Sequence, residues 1–164
     1  MADNHVMAGL QQVARRRGQR GYFTSAQAQA AGMSRMQLKR LVERGLAVRV
    51  APRVYRFRVT AATGWKDQLA IELLATGGTA SGLSATALYG LADPPENPCV
   101  LVERGRRTAI DGRHTSRELP SYERVTVDGL RSLAPVRALL DSAHRLPAPK
   151  ATARVESAIV RGVV

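Results

Sequence analysis

The side chains with the most chemistry to offer stand between positions 35 and 58. Arg35, Gln37, Lys39, Arg40 and Arg44 form one run, and Arg49, Arg53, Arg56 and Arg58 form the next. A guanidinium presents a planar fork of donors that fits phosphate and the O6/N7 edge of guanine. A carboxamide fits the N6/N7 edge of adenine. Such a set suits recognition of a polyanion rather than the making of bonds.

The reactive groups elsewhere do not assemble. His5, His114 and His144 are far apart, with no partner at metal-ligand spacing. Cys99 is the single cysteine, which excludes an intrachain disulfide. It starts an apolar run and is expected to be a small core residue. Ser81 and Ser84 lack a Gly-x-Ser-x-Gly context and read as packing or capping residues. Gly77-Gly78 lacks the Gly-Lys-Ser/Thr ending of a phosphate loop. Arg137 and Asp141 stand four apart, the spacing of a surface ion pair on a helix. The expectation is a chain with no catalytic residues, metal site or cofactor.

Charge distribution supports a polyanionic partner. The 164 residues carry a formal net charge of +12. Residues 1–58 hold twelve basic residues against Asp3 and Glu43, a net of +10; residues 59–164 hold thirteen against eleven, a net of +2. Nearly all the excess lies in the first third, where it repels itself unless a partner neutralises it. Nucleic acid is the first candidate partner and an acidic membrane surface the second. No apolar run is long enough to span a bilayer and the N-terminus lacks a signal-peptide pattern, so a cytoplasmic location is expected.

The elements that must position these side chains follow from caps and breakers. Asp3 or Asn4 is expected to cap a first helix reaching about Arg17, ended by Gly18. Thr24 or Ser25 caps a short second helix that Gly32 ends. Ser34 caps a third over residues 35–44 that Gly45 ends. Two short strands follow, LAVRV and VYRF, joined at Ala51-Pro52-Arg53. Three helices and a two-stranded ribbon are the order of a winged helix-turn-helix unit over residues 1–58. Residues 59–64 read as a connector. Residues 65–164 read as an α+β module: helices over 65–76, LSATALYGL, VRALLDSAHRL after Pro135, and about 150–161, with the strand CVLVE. Asp111-Gly112 and Asp128-Gly129 each read as a type I′ hairpin turn. The fold class expected is α+β.

With Leu38, Leu41 and Val42 buried and ~100° per residue, Met36, Lys39, Arg40 and Glu43 point outward on the third helix. Arg35, Gln37 and Arg44 lie on its flanks. In a major groove, Arg35, Lys39 and Arg40 would meet guanine or phosphate, Gln37 adenine, and Met36 a thymine methyl. Arg49, Arg53 and Arg56 would hold phosphate, with Arg53 at the hairpin tip suited to a minor groove. Arg15, Arg16, Arg17 and Arg20 could clamp backbone phosphates or simply complement the end of the first helix.

The pieces Phe23-Thr24, Ala28 to Gly32, Met33-Ser34, Leu38 to Gly45 and Val54-Tyr55-Arg56 together resemble the N-terminal winged helix of the type IV (AbiE-type) antitoxin family. TASGLSATALYGL and LAPVRALLDSA are similar to later segments of that family. One departure is Arg53, where the family usually has Gly. The resemblance implies an autorepressor that binds double-stranded operator DNA, an inverted repeat met by two copies associating on it. It also implies a second domain that neutralises a nucleotidyltransferase toxin. An alternative is the DNA-targeting portion of a Vsr-like nuclease whose catalytic domain lies outside this chain. The lysines Lys39, Lys66 and Lys150 do not follow Glu at the Glu-x-Lys spacing that site requires.

Overall fold

The computed structural model describes residues 2–16, 19–59, 64–103, 115–116 and 118–164. Its first third runs α1 (Ala2–Arg15), β1 (Tyr22–Thr24), α2 (Ser25–Ala30), α3 (Arg35–Glu43), β2 (Ala47–Ala51) and β3 (Val54–Phe57). The strands form an antiparallel sheet in the order β1-β3-β2. This is a winged helix with one strand more than the expected ribbon. Helix α1 begins at Ala2, so neither Asp3 nor Asn4 occupies the cap position expected of it. The expected stop at Gly18 lies outside the described residues.

Helices α2 and α3 start where the capping residues placed them. Thr24 Oγ1 accepts the Gln27 N–H at 3.1 Å, and the Gln27 carboxamide accepts the Thr24 N–H at 2.8 Å. Ser34 and Gln37 make the same reciprocal pair at 3.2 and 2.8 Å. Such a box satisfies two backbone donors that a helix start otherwise leaves open. Helix α3 stops because Gly45 takes a φ of 67°, a conformation glycine adopts freely.

Side chains alternate across the small sheet, and each face buries a different partner. On one face Phe23 stacks on Tyr55 with centroids 5.8 Å apart and lies 4.9 Å from Phe57. These rings close over Leu10, Met33, Leu38 and Leu41 from the helices. On the other face Tyr22 and Val54 pack in one cluster with Leu69, Ala70 and Leu73 of α4 (Trp65–Thr76). The winged helix and the following module therefore share apolar core. The expected connector at 59–64 falls mostly outside the described residues.

Helix α4 has the expected bounds and ends in a left-handed Gly77. A five-stranded sheet follows in the order β6-β5-β4-β8-β7. Its strands are β4 (Thr79–Ala80), β5 (Val100–Val102), β6 (Thr115–Ser116), β7 (Arg124–Val127) and β8 (Leu130–Leu133). Pairing is parallel for β4 with β8 and for β5 with β6, and antiparallel otherwise. Asp128 and Gly129 both have positive φ, which gives the expected tight hairpin between β7 and β8. The Asp111-Gly112 turn lies outside the described residues. Helices α5 (Gly82–Leu88), α6 (Pro135–Ala143) and α7 (Ala148–Val160) complete the module, with Pro135 in the first turn of α6 as expected. The chain is thus α+β.

Ser81 occupies the cap position of α5, and Ser84 Oγ accepts the Cys99 N–H at 2.8 Å. Cys99 itself is half-buried, just ahead of β5. Arg137 donates to Asp141 at 2.9 Å as its spacing suggested, and also faces Glu123 at 3.4 Å.

Candidate nucleic-acid interface

Helix α3 divides its polar residues between two hollows. The larger, about 610 Å³, lies between α2, α3 and the β2–β3 hairpin. Arg35 and Lys39 enter it from α3, and Arg49 and Arg53 from the hairpin. Leu38, Val42, Tyr55 and Ala26 supply its apolar lining, and Ser25 and Gln29 its other polar edge. Arg49 reaches this side because it pairs across the ladder with Tyr55, whose ring belongs to the helix-facing side of the sheet. Four cations around one concavity repel one another and attract an anionic strand. Among the described residues none of the four pairs with a carboxylate except Lys39, which lies 3.6 Å from Glu43. That pair is exposed at both ends and worth only tenths of a kcal/mol, ~0.3–0.5.

The hairpin tip is built on strain. Pro52 and Arg53 form a two-residue turn, and Arg53 has a φ of 64°. This is the left-handed conformation a glycine would take at no steric cost. The backbone accepts it because the Arg53 carbonyl receives the Ser25 N–H at 2.9 Å, which fastens the tip to the start of α2. The wing is therefore short and anchored, and its exposed side chain is a cation.

The smaller hollow, about 200 Å³, opens on the other side of α3 against α1. Gln37, Arg40 and Arg44 stand here with Val6, Met7, Met33, Leu41 and Leu46. The Gln37 carboxamide oxygen accepts the Ser34 N–H, so the residue expected to read adenine also takes part in the cap of its own helix. Arg56 stands apart from both hollows. It pairs with Tyr22 on the sheet face turned toward α4, so the structure does not bring it to the cations around the larger hollow. Met36 is 58% exposed on the outward side of α3.

Arg20 has an assignment that its sequence context did not suggest. Its Nε donates to Asp67 Oδ1 at 2.9 Å, and Asp67 Oδ2 accepts the Gly64 N–H at 3.0 Å at the start of α4. Arg20 therefore ties the winged helix to the module rather than standing free as a phosphate clamp. Burial pushes the Tyr22 hydroxyl above its ordinary pKa of 10.0. Asp67 adds to this, and Arg56 and Arg20 oppose it. Arg15 and Arg16 are exposed, and Arg17 lies outside the described residues.

Sequence reasoning missed Ser25, Ala26, Gln29 and Tyr55 as walls of the larger hollow. The capping box at Thr24 was the available signal, since it fixes where α2 begins relative to the hairpin. Among the described residues no cluster of three metal-ligating side chains occurs, and no helix is long and apolar enough to cross a membrane.

Three helices, an antiparallel sheet and a cationic hollow between α3 and the hairpin define a winged helix-turn-helix unit. Residues 10–58 match the family described as transcriptional regulator, AbiEi antitoxin. Residues 10–58 are thus similar to that family of regulators, in agreement with the motif resemblance. No curated protein matches the chain.

Proposed function

We propose that the chain is a DNA-binding transcriptional autorepressor acting as the antitoxin of a type IV toxin–antitoxin pair. The observation that carries this reading is the convergence of Arg35, Lys39, Arg49 and Arg53 on one concavity beside an exposed α3. In this reading α3 enters the major groove of an operator, with Arg35, Met36, Lys39 and Arg40 toward base edges. Arg49 and Arg53 hold the adjoining phosphates. Gln37 positions the helix start rather than reading a base, and Arg56 supports the sheet. Residues 65–164 serve toxin neutralisation or self-association on an inverted repeat, and the cytoplasm is the site of action. A nucleotidyltransferase is the toxin class that the family resemblance implies.

The test is an electrophoretic shift across a salt series. Duplex from upstream of the chain's own gene competes with unrelated duplex of equal length. Retention of the upstream duplex at salt that releases the competitor is the expected result. Equal release of both would reduce the basic surface to non-specific electrostatics. Arg49→Ala should weaken all sequences alike and lower the salt slope by about one, whereas Arg35→Ala should cost ~1–3 kcal/mol at one base position.

A further inference from the structure

The hollow between α1 and α3 has a composition that DNA does not fill. Its floor is Val6, Met7, Met33 and Leu41, and Leu46 stands 52% exposed at its mouth. Arg40 and Arg44, one turn apart on α3, form the rim. Both are exposed, and neither has an ion-pair partner among the described residues. A phosphate would satisfy the rim and leave the floor wet. At about 200 Å³ the hollow is below the usual ~300–1,000 Å³ of a small-molecule pocket, and it suits an anchoring side chain. Two methionines give the floor adaptable walls, a property of surfaces that receive protein segments.

We infer that this hollow is a docking site for an acidic protein segment that presents one large apolar side chain between carboxylates. The apolar side chain enters between Met7, Met33 and Leu46, and the carboxylates meet Arg40 and Arg44. The mode is that of a peptide laid into a groove with a buried anchor. Its regulatory consequence rests on the proposed DNA reading. Arg40 projects from the crest of α3, so a docked acidic segment withdraws it from the groove and sets negative charge beside the phosphates. Occupancy and operator binding then oppose each other, and by linkage each weakens the other by the same factor.

The probe is a short labelled peptide in which a Leu-Phe pair is flanked on both sides by Glu pairs. Its control has Ala-Ala in place of Leu-Phe. Fluorescence anisotropy and amide chemical shifts are measured on the full chain. Binding of the probe about tenfold tighter than the control is expected, in line with burial of a large apolar anchor. Shifts should centre on Met7, Met33 and Leu46. Leu46→Glu should abolish the difference, and Arg44→Glu should weaken both peptides. Leu46 holds its neighbours through backbone bonds, N–H to Leu41 O and carbonyl to Arg58 N, both at 3.0 Å, so its side chain can change without breaking them. Equal binding of probe and control, shifts centred on Arg49 and Arg53, or no binding would each overturn the inference. Operator competition is a separate arm. A peptide that docks on a chain showing no salt-resistant DNA preference would leave the site standing and remove the regulatory role.

Discussion

The two parts of this molecule use arginine for opposite purposes. In the winged helix Arg35, Arg40, Arg44, Arg49 and Arg53 project into solvent with no carboxylate beside them among the described residues. In the following module Arg124 pairs with Glu103, Arg137 with Glu123 and Asp141, and Lys66 with Asp128. In the first region these cations carry no carboxylate partner among the described residues, which is what the proposed DNA reading requires. In the second, thirteen basic residues stand against eleven acidic ones, a net of only +2, and several of the opposite charges meet in pairs. Net charge counts the cations in excess, and the pairing shows which ones lack a carboxylate beside them.

The contrast can be broken most severely at the aromatic layer that carries the unpaired cations. Phe23→Ala removes a fully buried ring that stacks on Tyr55 and touches Phe57, and should cost ~3–5 kcal/mol in urea unfolding. A loss below ~1 kcal/mol would mean that the helices hold the surface without the sheet. Asp67→Asn comes next. It weakens the one described ion pair that crosses between the regions and should destabilise by about 2 kcal/mol, a typical value for hydrogen bonds to a charged group. Operator affinity, corrected for folding, should stay unchanged; a gain in affinity would mean that Arg20 had been withheld from DNA.

Arg53→Gly sharpens the comparison from the other side. Relief of the positive φ should stabilise the chain by about 1 kcal/mol while DNA binding weakens by one phosphate contact. A variant that gains stability and keeps its salt slope would show that Arg53 does not contact phosphate. The smallest effect is confined to alkaline pH. Tyr22 and Tyr89 both titrate above 10.0 in the folded chain, so the stability tied to their neutral forms is full below pH 10 and falls as pH rises beyond it. Tyr22→Phe should flatten part of that decline in pH-dependent melting curves. A decline of unchanged slope would locate the sensitivity elsewhere.

Much of the fold was legible because its signals are local. Ser34 and Gly45 bracket α3, Thr24 starts α2, Asp128-Gly129 turns the hairpin, and Pro135 opens α6. Strand β1 was not legible: three residues are too few to show alternation, and Tyr22–Thr24 becomes a strand only by pairing with β3. The two-residue β4 was hidden for the same reason behind Gly77-Gly78. Of the site, the outward residues of α3 and the tip of the hairpin could be read from helical spacing. The roles of Arg20 and Arg56 could not. They depend on the core formed with α4 and, for Arg20, on Asp67, 47 residues along the chain.

Shared packing of Tyr22 and Val54 with Leu69 and Leu73 also limits how portable this winged-helix unit is. A fragment cut at residue 58 would carry every cation around the larger hollow and yet present a bare apolar sheet face to water. Transplanting the recognition surface into another protein therefore requires α4 to travel with it. The smallest heritable module extends to Gly77, past the boundary that charge alone would draw.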